Sequence, residues 1–499
     1  AVGGAAAFTF GALVAAEMML SGDYITPTLN GEIYLNKPPL YNWIITGYFK
    51  VFDNYSMFAF RLQVIVATFL LAFVAYRFIK KYSTHTIAFF TAFAFLTNGR
   101  ILIYDSLQGL IDTTFALCVF SSFMLTWYFG ERKKYMQLFI STYLLCIAGY
   151  MMKGLPAIVF QGFTLLTYFI LTKQFKKVFH WAHFAGGILF LLITGFYYYV
   201  YFIRNDFAPD VLFKNLFVES AKRTPGEFPA SRGIIHFLVF PLELLYHFAP
   251  WTIFIFACFQ KKFWATVKAN RFVQYCFWML LVNIFIYWVS PEVYPRYLFM
   301  FLPLLFFIVF FFYFQYTATD NWRSKIPLYL VAFLCTVLFA ACFALPFVDA
   351  VNKVEHIYLK CFCLIAGFGF ALWLLYKRKA LPMHAFAIAI IFVRMSFNWF
   401  VVEQRGARFF EAERTGKAIV SQTKGSPLHI MAGTNVGNLD GISFHVSTGR
   451  GEVLKYSKGI IQGEYYIADK KQLEGKNYDS YFSFTNYFAP DSLMLVKMR

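Results

Sequence analysis

The chain is expected to fold as a mainly α, polytopic membrane protein of about 12–13 transmembrane helices with a small α/β domain at its C-terminal end. Three observations predict this. Of 499 residues, 59% are hydrophobic and only 14% charged, a balance too apolar for a soluble domain. Beyond the first polar loop, apolar runs of about twenty residues recur, each long enough to cross ~30 Å of hydrocarbon. From Glu403 onward, long apolar runs give way to short alternating ones. The formal net charge of +19 does not require nucleic acid, because the basic residues fall in short clusters between apolar runs, as membrane topology demands.

Residues 1–20 are small and apolar, too short for a secure span, and read as an interfacial helix with Glu17-Met18 near its end. No signal-peptide pattern is visible, and whether a transmembrane helix precedes Ala1 stays open. Ser21 to Phe52 is polar and rich in turn formers. At its centre, Lys37 precedes Pro38-Pro39, which fix two φ angles and hold the lysine extended on a stiff mount. Alone, Lys-Pro-Pro would also serve merely to stop one helix and start another.

Spans are expected near 57–80, 86–104, 108–130, 135–152, 155–172, 180–203, 236–259, 272–290, 297–316, 327–347, 358–376 and 381–402. One set of connectors carries Arg77, Lys80, Lys81; Arg132, Lys133, Lys134; Lys173, Lys176, Lys177; Lys261, Lys262, Lys268, Arg271; Arg323, Lys325; and Lys377, Arg378, Lys379. The positive-inside rule makes this set cytoplasmic. The Lys37 loop, the turn from Asn98 to Asp112, Lys153-Gly154, residues 204–235, Ser290 to Arg296 and Val348 to Glu355 then share the outer face. This divides the chain into a membrane domain, 1–402, with extracytoplasmic loops at 1–56 and 204–235, and an extracytoplasmic α/β domain, 403–499. In the latter a helix through Phe409 to Val420 is closed by Gly425. Strands are expected around 428–432, 465–468, 481–484 and 493–496. Gly425, Gly433, Gly437 and Gly441 lack the spacing of a nucleotide-binding loop. An accessory or acceptor-facing role suits this domain.

Ionisable side chains beside membrane spans are expensive and mark sites. Asp105 and Asp112 are seven residues apart, which in a helix would place them on one face, although a helix cap and a solvated or paired carboxylate account for them as well. Lys153 closes one span at its outer end. Arg296 follows Ser290-Pro291-Glu292-Val293-Tyr294-Pro295 and precedes Tyr297, and its planar fork suits phosphate. Snorkelling would equally explain Lys153 and Arg296, and interfacial anchoring Tyr297. The loop 204–235 carries Glu219, Lys222, Arg223 and Arg232 among aromatics, a composition able to cover a phosphate headgroup. All eight cysteines lie in apolar runs, so neither a structural disulfide nor a cysteine-bound metal is expected.

The order Ser21-Gly22-Asp23-Tyr24, a proline, an Asn30-Gly31 turn, then Tyr34-Leu35-Asn36-Lys37-Pro38-Pro39-Leu40-Tyr41-Asn42-Trp43 resembles the first extracytoplasmic loop of GT-C membrane glycosyltransferases. The relevant superfamily is that of the protein O-mannosyltransferases and bacterial aminoarabinose transferases. Ile111-Asp112, Lys153-Gly154-Leu155-Pro156 and Pro295-Arg296-Tyr297 resemble further motifs of that superfamily, with Leu155 inserted in the second. The resemblance implies a GT-C fold in the bacterial inner membrane with a periplasmic C-terminal domain. It implies transfer of a sugar from a polyprenyl-phosphate donor to a lipid, glycan or protein acceptor on the outer face. Lys37, Lys153, Arg296, Tyr297 and Arg223 become the candidates for binding the donor phosphate, and Asp112 and Asp105 the candidate catalytic carboxylates.

Two departures bear on mechanism. The family's acidic residue ahead of the Glu-Met pair is replaced by the stretch Ala5-Ala6-Ala7-Phe8-Thr9, so the base is sought among Glu17, Asp23, Asp105 and Asp112. Asn36 stands where aminoarabinose transferases tend to carry Glu, which weakens the case for a metal there; no cofactor is assigned, and a divalent cation stays open. A transporter or flippase is the alternative function, but it should carry ionisable groups or broken helices near the midplane, whereas these candidates cluster at outer ends.

Overall fold

The structure is a computed structural model describing residues 7–34, 36–205, 228–316, 322–349, 354–377, 382–434, 439–485 and 492–499, together with 210, 214, 218, 351 and 352. Helix α1 (Ala7–Ser21) leads into a hairpin of β1 (Thr28–Leu29) and β2 (Glu32–Ile33), then α2 (Leu40–Phe52). The bundle follows with α3 (Met57–Tyr82), α4 (His85–Thr97), α5 (Asp112–Gly130), α6 (Tyr135–Lys153), α7 (Pro156–Leu171) and α8 (Trp181–Arg204). It continues with α9 (Ala230–His247), α10 (Phe263–Ala269), α11 (Arg271–Trp288), α12 (Leu302–Tyr316), α13 (Trp322–Ala344), α14 (Ile357–Lys377) and α15 (Pro382–Phe397). Among the described residues, nine helices are long and apolar enough to cross a membrane, while α4 and α7 are shorter apolar helices.

Two expected spans are interrupted. The run 236–259 divides into α9 and a 3-10 helix, Trp251–Cys258, because Pro250 supplies no N–H and disfavours helix at the residue before it. The run 86–104 breaks after Thr97 and resumes as a π-turn, Arg100–Tyr104, with Asp105–Leu107 in a 3-10 turn. Asp105 and Asp112 therefore do not share a continuous helix, correcting the two-turn spacing expected above. Gly99 makes the break close-packed. Its N–H donates to the carbonyl of Ala249 at 2.7 Å, and a Cβ there would stand 2.9 Å from that same oxygen.

The bundle core is aromatic. Trp251, fully buried, meets Phe93, Phe310 and Phe386 edge-on, and its indole N–H donates to Thr97 at 2.9 Å. Such ring pairs add about 0.5–1.5 kcal/mol each beyond the area they bury.

The polar tail contains α16 (Glu403–Gln422), β3 (Leu428–Ile430), α17 (Asp440–Arg450), β4 (Lys455–Tyr456), β5 (Tyr465–Asp469), α18 (Lys470–Leu473), β6 (Tyr478–Thr485) and β7 (Ser492–Met498). The strands form one mixed sheet, ordered β4-β3-β5-β7-β6, with β3 parallel to both neighbours and β7 antiparallel to both of its own. All five residues of β5 are buried, so this central strand is covered on both faces. Helix α17 was not expected from sequence. Its apolar residues Ile442 and Val446 are i,i+4 neighbours in the tail core, and Gly451 in the left-handed region closes it. Phe444 turns the other way, into a cluster with Phe49 and the α1 alanines, which docks the tail against the N-terminal segment.

Candidate active site

The site is built where α5 begins, α6 ends and the 3-10 helix Pro295–Phe301 begins. Asp112, the first residue of α5, is 4% exposed. Its Oδ1 lies 2.5 Å from Lys153 Nζ, and its Oδ2 lies 3.0 Å from Arg296 Nε. One carboxylate thus spans two cations from separate elements. Lys153 Nζ also sits 3.9 Å from the centre of the Tyr297 ring, and the Arg296 guanidinium sits 4.4 Å from that of Tyr294. Aromatic faces hold cations without neutralising them, leaving their charge available to an anion.

Lys37 is exposed, and its charge acts on both Asp112 and Lys153. The link is structural too. Tyr41, four residues beyond Lys37 in the first turn of α2, donates through its hydroxyl to the carbonyl of Gly109 at 2.8 Å, and Gln63 donates to that hydroxyl. The lysine loop is thereby fastened to the turn preceding Asp112. Gly109 cannot be larger, because a Cβ there would be 2.1 Å from the Phe60 ring.

Asp105 forms a second pair. Its Oδ2 lies 2.6 Å from Arg100 Nε, and it is also 4% exposed. Burial pushes its carboxyl up to about 6, against the opposing pull of Arg100 and Arg296. Arg394 donates to Ser106 at 3.2 Å, bringing another cation beside this turn.

The structure therefore brings together Lys37, Asp105, Asp112, Lys153, Arg296 and Tyr297 of the residues singled out from sequence. Arg223, Glu219 and Lys222 lie outside the described residues, as do Ala5 and Ala6. Arg232 pairs with Glu292 at 3.4 Å. Asp23 caps its own turn through the N–H groups of Ile25 and Thr26 and meets Arg204 at 3.3 Å. Glu17, fully buried, accepts from the Thr28 hydroxyl and the N–H groups of Asn30 and Gly31, so its carboxylate closes the hairpin. Sequence reasoning missed Arg100, Arg394 and Tyr41. Arg100 was within reach, five residues before Asp105 in the same polar turn.

Around Asp112 and Asp105 stand Lys37, Arg100, Lys153 and Arg296, so cations outnumber carboxylates. Such a surplus suits a multiply charged phosphate. The same donor set fits a divalent cation poorly, because each carboxylate already lies against a guanidinium or ammonium. No group of three or more His, Cys, Asp or Glu among the described residues is arranged to hold a metal.

Residues 36–199 match the dolichyl-phosphate-mannose-protein mannosyltransferase family. An uncharacterized protein of Aquifex aeolicus (strain VF5) is 26% identical over 264 residues, covering 52% of this chain and 49% of its own length. The undecaprenyl phosphate-alpha-4-amino-4-deoxy-L-arabinose arabinosyl transferase 1 of Proteus mirabilis (strain HI4320) is 25% identical over 254 residues, covering 50% and 45%. The chain spans about half the length of these curated relatives. Crystal structures of ArnT from Cupriavidus metallidurans superpose over nearly the whole chain. The undecaprenyl phosphate complex gives a TM-score of 0.70 at 16% identity, covering 98% of this chain and 93% of that one. The apo form gives 0.69 at 16%, covering 98% and 92%. These matches bear out the resemblance carried by the first loop: the chain has the GT-C fold of the ArnT structures, and its residues 36–199 are similar to the mannosyltransferase family.

Proposed function

We propose that this chain transfers a sugar from a polyprenyl-phosphate donor to a lipid, glycan or protein acceptor at the outer face of the bacterial inner membrane. The observation that carries the reading is the Lys153–Asp112–Arg296 bridge beside Lys37. In the reaction, the bond between the anomeric carbon and the phosphate oxygen breaks and its electron pair leaves with the phosphate. The acceptor atom bonds to that carbon from the opposite side. Prepositioned cations stabilise the charge that grows on the departing phosphate, usually the largest electrostatic contribution to such a step.

Asp112 acts in this scheme as a positioning residue, since both its oxygens are engaged by the cations it holds apart. Asp105 is the carboxylate we assign to proton uptake from a hydroxyl acceptor, because among the described residues nothing donates to its buried Oδ1, while Oδ2 lies against Arg100. Loop charges supply the sidedness. Docking of the tail, 403–499, beside the Lys37 loop supports a periplasmic accessory domain facing the acceptor. Mass spectrometry of lipid A, glycans and secreted proteins from cells with and without the gene tests the reading. A sugar lost from one class identifies the acceptor, whereas unchanged profiles together with altered polyprenyl-lipid distribution across the membrane favour a flippase.

A further inference from the structure

At the end of the bundle opposite Asp112, a cavity of about 530 Å³ opens between the C-terminal ends of α3 and α5 and the start of α11. Tyr82, Trp127 and Phe272 form its aromatic wall, and Glu131, Arg132 and Arg271 stand at its rim. The wall is packed: Tyr82 and Phe272 lie 4.6 Å apart between ring centres, and Trp127 packs against the fully buried Tyr275 at 4.8 Å. Glu131 is already engaged, by Arg271 at 3.1 Å and the Tyr168 hydroxyl at 3.4 Å. Among the described residues, Arg132 pairs with no carboxylate. It donates to the Tyr82 hydroxyl and the Tyr128 carbonyl, both neutral.

Arg132 also does not stand alone. Its guanidinium is 3.8 Å from the centre of the Tyr128 ring, and Lys81 Nζ is 4.3 Å from the same centre. Two cations share one ring, with Lys80, Lys133 and Lys134 beside them in the chain. The two cations add positive charge beside the cavity, which favours an anion there. Basic pockets between helices at a membrane boundary bind phosphate headgroups, and an aromatic wall continues such a site toward the acyl chains.

We propose that this cavity binds a phosphate-bearing headgroup, and that its source is an anionic phospholipid of the surrounding leaflet. Arg132 at the rim holds the phosphate, with Lys81 adding charge from its place over the Tyr128 ring, while Tyr82, Trp127 and Phe272 line the glycerol and upper acyl region. The site is separate from the donor site and does not depend on the activity proposed above.

Native mass spectrometry of the full-length protein, released from detergent with equimolar phosphatidylglycerol and phosphatidylcholine, tests it. Wild type is expected to retain phosphatidylglycerol at least tenfold over phosphatidylcholine, and the Lys81→Gln/Arg132→Gln double variant to lose that preference. Thermal unfolding in detergent provides a readout that does not depend on the variant: phosphatidylglycerol is expected to raise the wild-type midpoint and phosphatidylcholine to leave it unchanged. Inorganic phosphate giving the same rise at the same concentration would keep the phosphate site but overturn the lipid source. Equal retention of both lipids by wild type, or an undiminished preference in a normally folded double variant, would overturn the site itself.

Discussion

Asp112 Oδ1 and Lys153 Nζ stand 2.5 Å apart, with side-chain exposures of only 5% and 12%. A buried pair of this kind is costly to break, about 3–5 kcal/mol, because the surviving charge is left without compensation. Asp112 holds two such charges. Asp112→Asn is therefore expected to lower the thermal midpoint and to reduce kcat at least tenfold, about 1.4 kcal/mol in barrier. Steady-state kinetics on detergent-solubilised protein check this, and full turnover with an unchanged midpoint would remove the bridge from the mechanism.

Arg296 contacts the Asp112 carboxylate and Lys37 acts on it through its charge, and both are proposed to face the donor phosphate. Each charge-assisted contact is worth about 1.5–3 kcal/mol, so Lys37→Ala and Arg296→Ala should each cost at least about tenfold in donor-dependent turnover. Arg296→Lys should recover only part of the loss, since an ammonium cannot reproduce the planar fork that reaches Asp112 while lying against Tyr294. Normal turnover in folded Lys37→Ala would detach the first loop from the site.

Asp105 gives a pH dependence with a definite sign. Its carboxyl is raised from 3.8 to about 6 by burial, so the folded state holds a proton that the unfolded state has already lost. Stability attributable to this residue should fall as pH rises from about 4 to about 6 and stay level above, by on the order of 3 kcal/mol at most. Turnover on a hydroxyl acceptor should move oppositely, rising through pH ~6 as the base ionises. The wild-type minus Asp105→Asn difference in midpoint and in rate isolates both trends. Parallel wild-type and Asp105→Asn rate profiles would exclude Asp105 as the base.

The sequence motifs reveal these residue types more readily than their pairing. Lys37 is legible because two prolines fix its backbone locally, and Arg296 because Pro295 and Tyr297 flank it. That Asp112 meets Lys153, 41 residues away, depends on the packing of α5 against α6, which no local pattern encodes. The break before Trp251 was visible as Pro250 yet overridden by the hydropathy of the surrounding run. Helix α17 was hidden for a different reason: it is short, polar on average and buried on two sides, toward the sheet through Val446 and toward α1 through Phe444.

The tail docks beside the first loop, so the two are expected to share one face of the membrane. Ser21 and Ser480 are both exposed, one in the N-terminal segment and one in β6. Single cysteines introduced at these positions should react alike with a membrane-impermeant thiol reagent added outside spheroplasts, and a cysteine at Lys134 should react only after lysis. Opposite behaviour of the first two positions would contradict a shared face and the acceptor-facing role of the tail.

Glu17 is the first acidic residue in the sequence, ahead of Asp23. Its carboxylate takes three donors from the hairpin, and Gly31 at the hairpin tip, with φ of 77°, lies against the side chain of Lys455 in the tail. The hairpin leads directly into Asn36-Lys37, so Glu17 is expected to order the loop rather than take a proton. Glu17→Gln keeps the size but turns one acceptor oxygen into a donor facing hydroxyl or amide hydrogens, at a cost of about 1–3 kcal/mol. The expected result is faster amide exchange over residues 28–37 and a raised donor KM, with kcat changed much less. A base would give another pattern: kcat lost at every pH, KM nearly unchanged and exchange in the hairpin as in wild type. Observing that second pattern would move Glu17 into the reaction and leave Asp105 as a structural partner of Arg100.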